Sequence, residues 1–247
     1  MNHKDLLILF AKSPHAPDIK TRLSPLLSKK ERARLQKAFI LDTLALMASL
    51  ARGTRPVRAS PLSVKQALAC TPDTKDRFFT QCKKQYSVLL VQQKGADLGA
   101  RMKNLFCWAF SRGFQRVVMI GSDAPTIPAS FIKEAFSKLK TMPIVLGPAM
   151  DGGYYLIGRN ARRACCPDYG AKLPFPDIFS DIRWGSHTVL SETITRLSRH
   201  HLLPFWYDVD YQEDIDFLRR HLSILTKRKG VLPIETLKFI NKMKSRK

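Results

Sequence analysis

Acidic residues are scarce in this 247-residue chain: 20 Asp and Glu stand against 42 Lys and Arg, a formal net charge of +22. Such a balance attracts anions over the whole surface, whether nucleotides, phosphosugars, nucleic acid or acidic lipid, without choosing among them. Long apolar runs are missing too. Leu6–Ala11 is too short for a signal-peptide core, and no stretch approaches the ~18–20 apolar residues of a membrane span, so a cytoplasmic protein without a membrane span is expected. The five cysteines, Cys70, Cys82, Cys107, Cys165 and Cys166, include no C-x-x-C spacing, which argues against a structural zinc site and for a reducing compartment.

What is present is an ordinary globular composition, 45% hydrophobic and 25% charged, which excludes wholesale disorder. The length suits a single α/β domain over 1–247, able to bury a full core without disulfide or metal staples. From Arg219 to Lys247 there are ten basic residues against one acid, Glu235. This last part, from about 223 to 247, reads as a solvated basic helix and tail. It lacks the interleaved aromatics of a nucleic-acid patch, so nucleic acid is not an expected partner.

The organising stretch is Arg116–Pro125, RVVMIGSDAP. Val117–Ile120 is a short β-branched run bounded by Gly121, the pattern of a strand buried on both faces of a parallel sheet. Asp123 then falls at the strand's carboxyl end, where open α/β sheets bind ligands. Pro125 and Pro128 stop the strand, and Phe131, Ile132, Ala135, Phe136 and Leu139 follow at helical spacing. Leu6–Phe10 is a second apolar strand, and its loop carries Lys12, Lys20 and Arg22 among prolines, either a phosphate cradle or a solvated basic loop. Ser28 and Glu31 have capping-box spacing before a stripe of Leu35, Phe39, Leu46 and Leu50.

Further strands are expected at Pro56–Ser60, Ser87–Gln92, Ile144–Leu146 and Leu202–Asp210, with a short helix over Ser63–Cys70. Gly95–Met102 puts Asp97 and Arg101 between glycines ahead of a helix that runs to about Arg112, a weak signal by itself. In Gly147–Gly158, Asp151 precedes two glycines and then Tyr154 and Tyr155. That arrangement either presents a carboxylate and ring faces to a sugar or base, or is a plain Asp-Gly hairpin turn. Trp184 before Gly185 is either a stacking wall or a core residue, and a helix should follow through Leu197. Asp210 and Glu213 fit a capping box for a helix over Ile215–Leu222.

Taken together, KTRL at 20–23, the Gly95–Met102 stretch, GSDAP at 121–125, GPA at 147–149 with DGGYYLIG at 151–158, and Trp184 with Val189 and Leu190 resemble the bacterial DUF2064 family. Its members are read as GT-A-fold glycosyltransferases, often described as nucleotide-diphospho-sugar transferase-like. The resemblance runs in order along nearly the whole chain. It implies a three-layer α/β/α fold with a mostly parallel sheet, and a transferase that moves a sugar from a nucleotide-sugar donor to a small-molecule acceptor. It further implies that Asp123 and Asp210 hold Mg²⁺ or Mn²⁺, that Lys12, Lys20 and Arg22 hold phosphates, and that Asp97, Arg101 and Tyr154 contact the nucleotide-sugar. Asp151 would face the transferred sugar or acceptor as base or positioning group. Asp18 stands where the family usually has glycine, His187 where relatives are often acidic, and the central strand has no strict D-x-D. Two rival readings are a nucleotidyltransferase that releases pyrophosphate and a non-catalytic basic scaffold on the same fold.

Overall fold

The computed structural model describes residues 4–52, 62–161, 177–227 and 230–244. The element order is β1 (Asp5–Lys12), a 3₁₀ turn (Thr21–Leu23), α1 (Lys29–Arg52), β2 (Val64–Thr71), α2 (Arg77–Tyr86), β3 (Leu89–Gln92), α3 (Leu98–Ser111) and β4 (Arg116–Gly121). There follow α4 (Ala129–Lys138), β5 (Ile144–Pro148), β6 (Tyr154–Asn160), α5 (Val189–Ile194), β7 (His201–Leu202), α6 (Gln212–Leu225) and α7 (Ile234–Lys244). The strands form one sheet in the order β3-β2-β1-β4-β6-β5-β7. All its pairings are parallel except those of β6, which runs antiparallel to both β4 and β5.

The apolar runs expected to be central strands lie at the centre because both of their faces are covered. Leu7 and Leu9 of β1 pack with Leu44 of α1, Phe79 of α2 and Phe136 of α4. Leu6 and Ile8 point the other way, onto Met102, Phe106 and Ala109 of α3. Strand side chains alternate between faces, so a continuous apolar run needs helices on both sides. The result is the expected three-layer α/β/α arrangement. Register at the far edge is set where Asp5 of β1 faces Arg116 of β4, in a two-pronged ion pair of 2.6 and 3.1 Å.

Several expectations need correction. Ser63–Cys70 is not a helix: Val64–Thr71 is β2, paired with β1 and β3. Its Gln, Ala and Leu favour helix locally, but Ala67–Cys70 are fully buried between two strands, and tertiary burial overrides propensity. Leu202–Asp210 is not one strand. Only His201–Leu202 pairs with β5, and Pro204, which has no N–H to donate, interrupts the ladder before an isolated bridge from Trp206 to Ala149. The helix expected through Leu197 is the short α5, ending at Ile194. At α6 the cap is Asp214, whose carboxylate accepts the backbone N–H groups of Asp210 and Tyr211 at 2.9 and 2.7 Å. Glu213 is not the capping acid, and Asp210 keeps its own carboxylate for other contacts. The strand expected at Pro56–Ser60 lies outside the described residues.

The basic carboxyl-terminal part is more than a solvated tail. Ile240 of α7 is buried against Leu35 and Phe39 of α1 and Leu218 and Leu222 of α6. Asp42 of α1, 5% exposed, accepts the N–H groups of Glu235 and Thr236 at 2.9 and 2.7 Å. This caps α7 from another helix. Asp42→Ala should therefore cost about 1–2 kcal/mol and remove hydrogen-exchange protection from 234–244 before the sheet is affected. Unchanged protection in α7 would contradict that role.

Candidate functional site

The carboxyl ends of β1, β2 and β4 and the amino end of β6 meet at one edge of the sheet. There the β1 loop inserts Lys20. Its backbone is left-handed, φ 46° and ψ 44°, a conformation that costs a non-glycine residue about 1 kcal/mol or more. The turn sends the side chain inward, where it is only 3% exposed. The ammonium Nζ lies 2.8 Å from Asp123 Oδ1 and 3.0 Å from Asp210 Oδ1, and donates to the Val209 carbonyl at 2.6 Å. An ammonium has three N–H donors, and here each has an acceptor. Burial opposes its charge, but the two carboxylates outweigh burial and raise its pKa. Asp123 is fixed from two further directions. Ser122 donates to it at 3.3 Å and itself receives Gln36 Nε2 at 3.0 Å, while the Asp123 carbonyl accepts the Val209 N–H at 2.9 Å.

Two chambers open on this edge. The first, about 440 Å³, is lined by Lys12, Lys20, Arg22, Arg101, Asp123 and Asp210 among others. The second, about 480 Å³, holds Asp151, Asp208, Tyr154 and Trp184. Arg22, Leu98, Tyr154 and Asp210 line both, so the chambers adjoin. Arg22 stacks over the Tyr211 ring at 5.2 Å and reaches Asp210 at 3.4 Å. The hairpin between β5 and β6 carries Asp151, whose Oδ1 accepts the Gly153 N–H at 2.9 Å. This is the plain Asp-Gly turn of the two readings, and it still sets the carboxylate on the second chamber. Gly152 has φ +88°, and a Cβ there would lie 2.0 Å from the His187 carbonyl. That close approach lets the 184–188 segment wall the chamber. Trp184 is half-buried, packed on Gly99, where a Cβ would meet the indole at 2.5 Å, and edge-on to Tyr154. Wall and core are both true of it.

Of the residues singled out in the sequence, Lys20, Arg22, Asp123, Asp210, Tyr154, Arg101 and Lys12 come together in the first chamber. Lys12 is ion-paired to Asp18, whose carboxyl is held below its ordinary range by that hydrogen bond. Lys20 is enclosed by carboxylates. Arg101 spends Nε on the Gly95 carbonyl at 3.2 Å and pairs with no described carboxylate. Asp97 is placed otherwise: it is the cap of α3, accepting the Ala100 N–H at 2.7 Å, outside both linings. Sequence reasoning gave no role to Asp208, which it placed beside Asp210, and none to Gln36. Asp208 stood in the DVD triplet with Asp210, which was the available signal; nothing local marked Gln36 of α1.

Asp208 is the strained group. Burial first, then the charges of Asp123, Asp151 and Asp210, push its carboxyl up to about 8, with Lys20 offsetting part of this. Its folded pKa lies above the unfolded value, so between about pH 4 and 8 the folded state holds a proton the unfolded chain has lost, and stability falls as pH rises. In EDTA, the stability advantage of Asp208→Asn over wild type should therefore grow from about pH 5 to pH 8.5, by about 1–2 kcal/mol after allowance for partial solvent exposure. An advantage that does not change with pH in denaturant titrations would contradict this.

Comparison with known proteins agrees with this architecture. A solved structure from Desulfovibrio desulfuricans G20, described provisionally as a nucleotide-diphospho-sugar transferase, is 29% identical, with a TM-score of 0.77 over 97% of this chain and 98% of that one. At the level of fold alone, 4-diphosphocytidyl-2C-methyl-D-erythritol synthase from Anaerococcus prevotii DSM 20548 is also similar. It is 10% identical, with TM-score 0.53, over 90% of this chain and all of that one. A cytidylyltransferase from Leptospira borgpetersenii is 12% identical, with TM-score 0.50, over 98% and 95%. No curated protein matches the sequence. Residues 58–186, which include Asp97, Arg101, Asp123, Asp151, Tyr154 and Trp184, match the family described as "Uncharacterized protein conserved in bacteria (DUF2064)", and the chain belongs to that family.

Proposed function

We infer that the chain is a glycosyltransferase that takes a nucleotide-diphospho-sugar as donor and passes its sugar to a small-molecule hydroxyl acceptor with the aid of Mg²⁺ or Mn²⁺. One observation carries the reading. Asp123 and Asp210 share one cation, the Lys20 ammonium, at 2.8 and 3.0 Å, at the junction of a cation-lined chamber and an acid-lined one. The likeness to the Desulfovibrio protein supports it.

The donor set fits a hard cation. Among the described residues no three acidic, His or Cys side chains can hold a metal by themselves, and Mg²⁺ commonly uses one or two carboxylates completed by substrate phosphates and water. Asp123 and Asp210 would be those two. When bound, the cation would supply charge stabilisation for the departing diphosphate. The chain's own groups do the rest. Arg101 holds phosphate oxygens in the first chamber, and Lys20 holds the two carboxylates together in the absence of metal. Tyr154 separates the chambers. Asp151, one oxygen tied to Gly153 N–H and the other without a partner among the described residues, takes the proton of the acceptor hydroxyl. The acceptor oxygen then bonds to the anomeric carbon while the bond from that carbon to the phosphate oxygen breaks, its electron pair leaving with the nucleoside diphosphate.

Three outcomes are expected. A nucleoside diphosphate at about 100 times its dissociation constant, with Mn²⁺, should raise the melting temperature by about 5–10 °C, and Asp123→Ala should abolish the manganese-dependent part. A shift that survives in that variant would contradict the assignment. Asp151→Asn should leave nucleotide affinity intact and lower turnover about 100-fold or more. Released nucleoside diphosphate identifies the reaction, whereas pyrophosphate release from a nucleoside triphosphate would make the chain a nucleotidyltransferase. Asp18→Gly should free Lys12 and tighten nucleoside diphosphate binding several-fold at low salt; unchanged affinity would remove Lys12 from the phosphate set.

A further inference from the structure

The second chamber has a charge pattern opposite to that of the molecule. In a chain with more than twice as many basic as acidic residues, Asp151, Asp208 and Asp210 line it, and Arg22 is the only Lys or Arg among its described lining residues. The first chamber holds four cations, Lys12, Lys20, Arg22 and Arg101, against three acids, Asp18, Asp123 and Asp210, so the balance of charge reverses from one chamber to the other. Arg22 is already engaged, with Asp210 at 3.4 Å and the Tyr211 ring at 5.2 Å. Whatever the state of Asp208, Asp151 and Asp210 outnumber it. Among the described residues a phosphate entering here would find no spare Lys or Arg, only the His187 imidazole, and at least one carboxylate, that of Asp151, with no ion-pair partner. At ~6 Å and an effective dielectric of ~40, one such carboxylate disfavours a unit negative charge roughly tenfold.

The walls suit another kind of ligand. The Tyr154 and Trp184 rings stand edge to face, centroids 6.4 Å apart at 89°. One Asp151 oxygen accepts the Gly153 N–H, and the other has no partner among the described residues. Apolar ring surface beside carboxylate acceptors matches a polyhydroxylated ring, whose C–H face can lie on the aromatics while its O–H groups donate to the acids.

We propose that the second chamber binds an uncharged polyhydroxylated group and rejects phosphorylated ones, so that the acceptor carries no phosphate at the end that reaches Asp151. This rests on the preceding reading, in which the diphosphate occupies the first chamber. It also sets the acceptor chemistry apart from that of a nucleotidyltransferase acting on a phosphorylated small molecule, which needs cations on the acceptor side.

The test uses matched probes, methyl α-glucoside against glucose 6-phosphate and glycerol against glycerol 3-phosphate. They are titrated by saturation-transfer NMR into the full chain with the first chamber filled by a nucleoside diphosphate and Mn²⁺. The uncharged member of each pair should bind at least tenfold more tightly, Trp184→Ala should abolish its signal, and Asp151→Lys should collapse or invert the preference. Equal or tighter binding of the phosphorylated members to wild type, no binding of either member, or an Asp151→Lys variant with an unchanged ratio would each overturn the proposal. Should no nucleoside diphosphate bind, the donor reading fails separately. The probe ratio is then measured with inorganic pyrophosphate filling the first chamber, and the same outcomes apply.

Discussion

The ammonium of Lys20 is the point on which the site depends. Removing such a group from water costs several kcal/mol unless it is fully paired, and here the three acceptors come from two places far apart in the chain: Asp123 after β4, and Val209 and Asp210 before α6. The strained left-handed backbone at Lys20 makes the reach possible. In return, the cation holds together two carboxylates that would otherwise repel each other, and the Val209 N–H to Asp123 carbonyl bond closes the same junction from the backbone side. Breaking such a pair from one side leaves an uncompensated buried charge, typically costing about 3–5 kcal/mol.

Around this junction the protein divides its charge. The chain is strongly basic, yet three of its 20 acids, Asp123, Asp151 and Asp210, lie close enough to act on a fourth, Asp208. Burial first, and then repulsion from the other three acids, raises the pKa of Asp208, a cost in stability. Functional sites commonly carry such unfavourable clusters because the ligand completes them. In the proposed function, the basic surface would draw an anionic donor toward the edge of the sheet, and the acid-lined side would receive its acceptor.

The central strands were legible because burial on both faces leaves an uninterrupted apolar run, as in Leu6–Leu9 and Val117–Ile120. Asp123 was legible because it follows such a run directly. β2 was not, since its Gln66, Ala67 and Ala69 carry no strand preference and its place between β1 and β3 is decided by long-range pairing. Ten basic residues concealed that one face of α7 is core. Charge alone marked Lys20 as a phosphate ligand; that it points into a pair of carboxylates depends on Asp210, 190 positions away. Asp97 was visible as an acid between glycines, and a helix cap has that same signature.

In the proposed function, Asp123 and Asp210 share one divalent cation at the boundary of the two chambers. The most direct measurement is anomalous diffraction at the manganese edge from crystals grown with Mn²⁺ and the nucleoside diphosphate that most raises the melting temperature. The account predicts a single manganese peak bridging Asp123, Asp210 and the diphosphate, with the nucleotide on the Arg101 side. Nucleotide bound without manganese at these carboxylates, or lying in the Asp151 chamber, would contradict it.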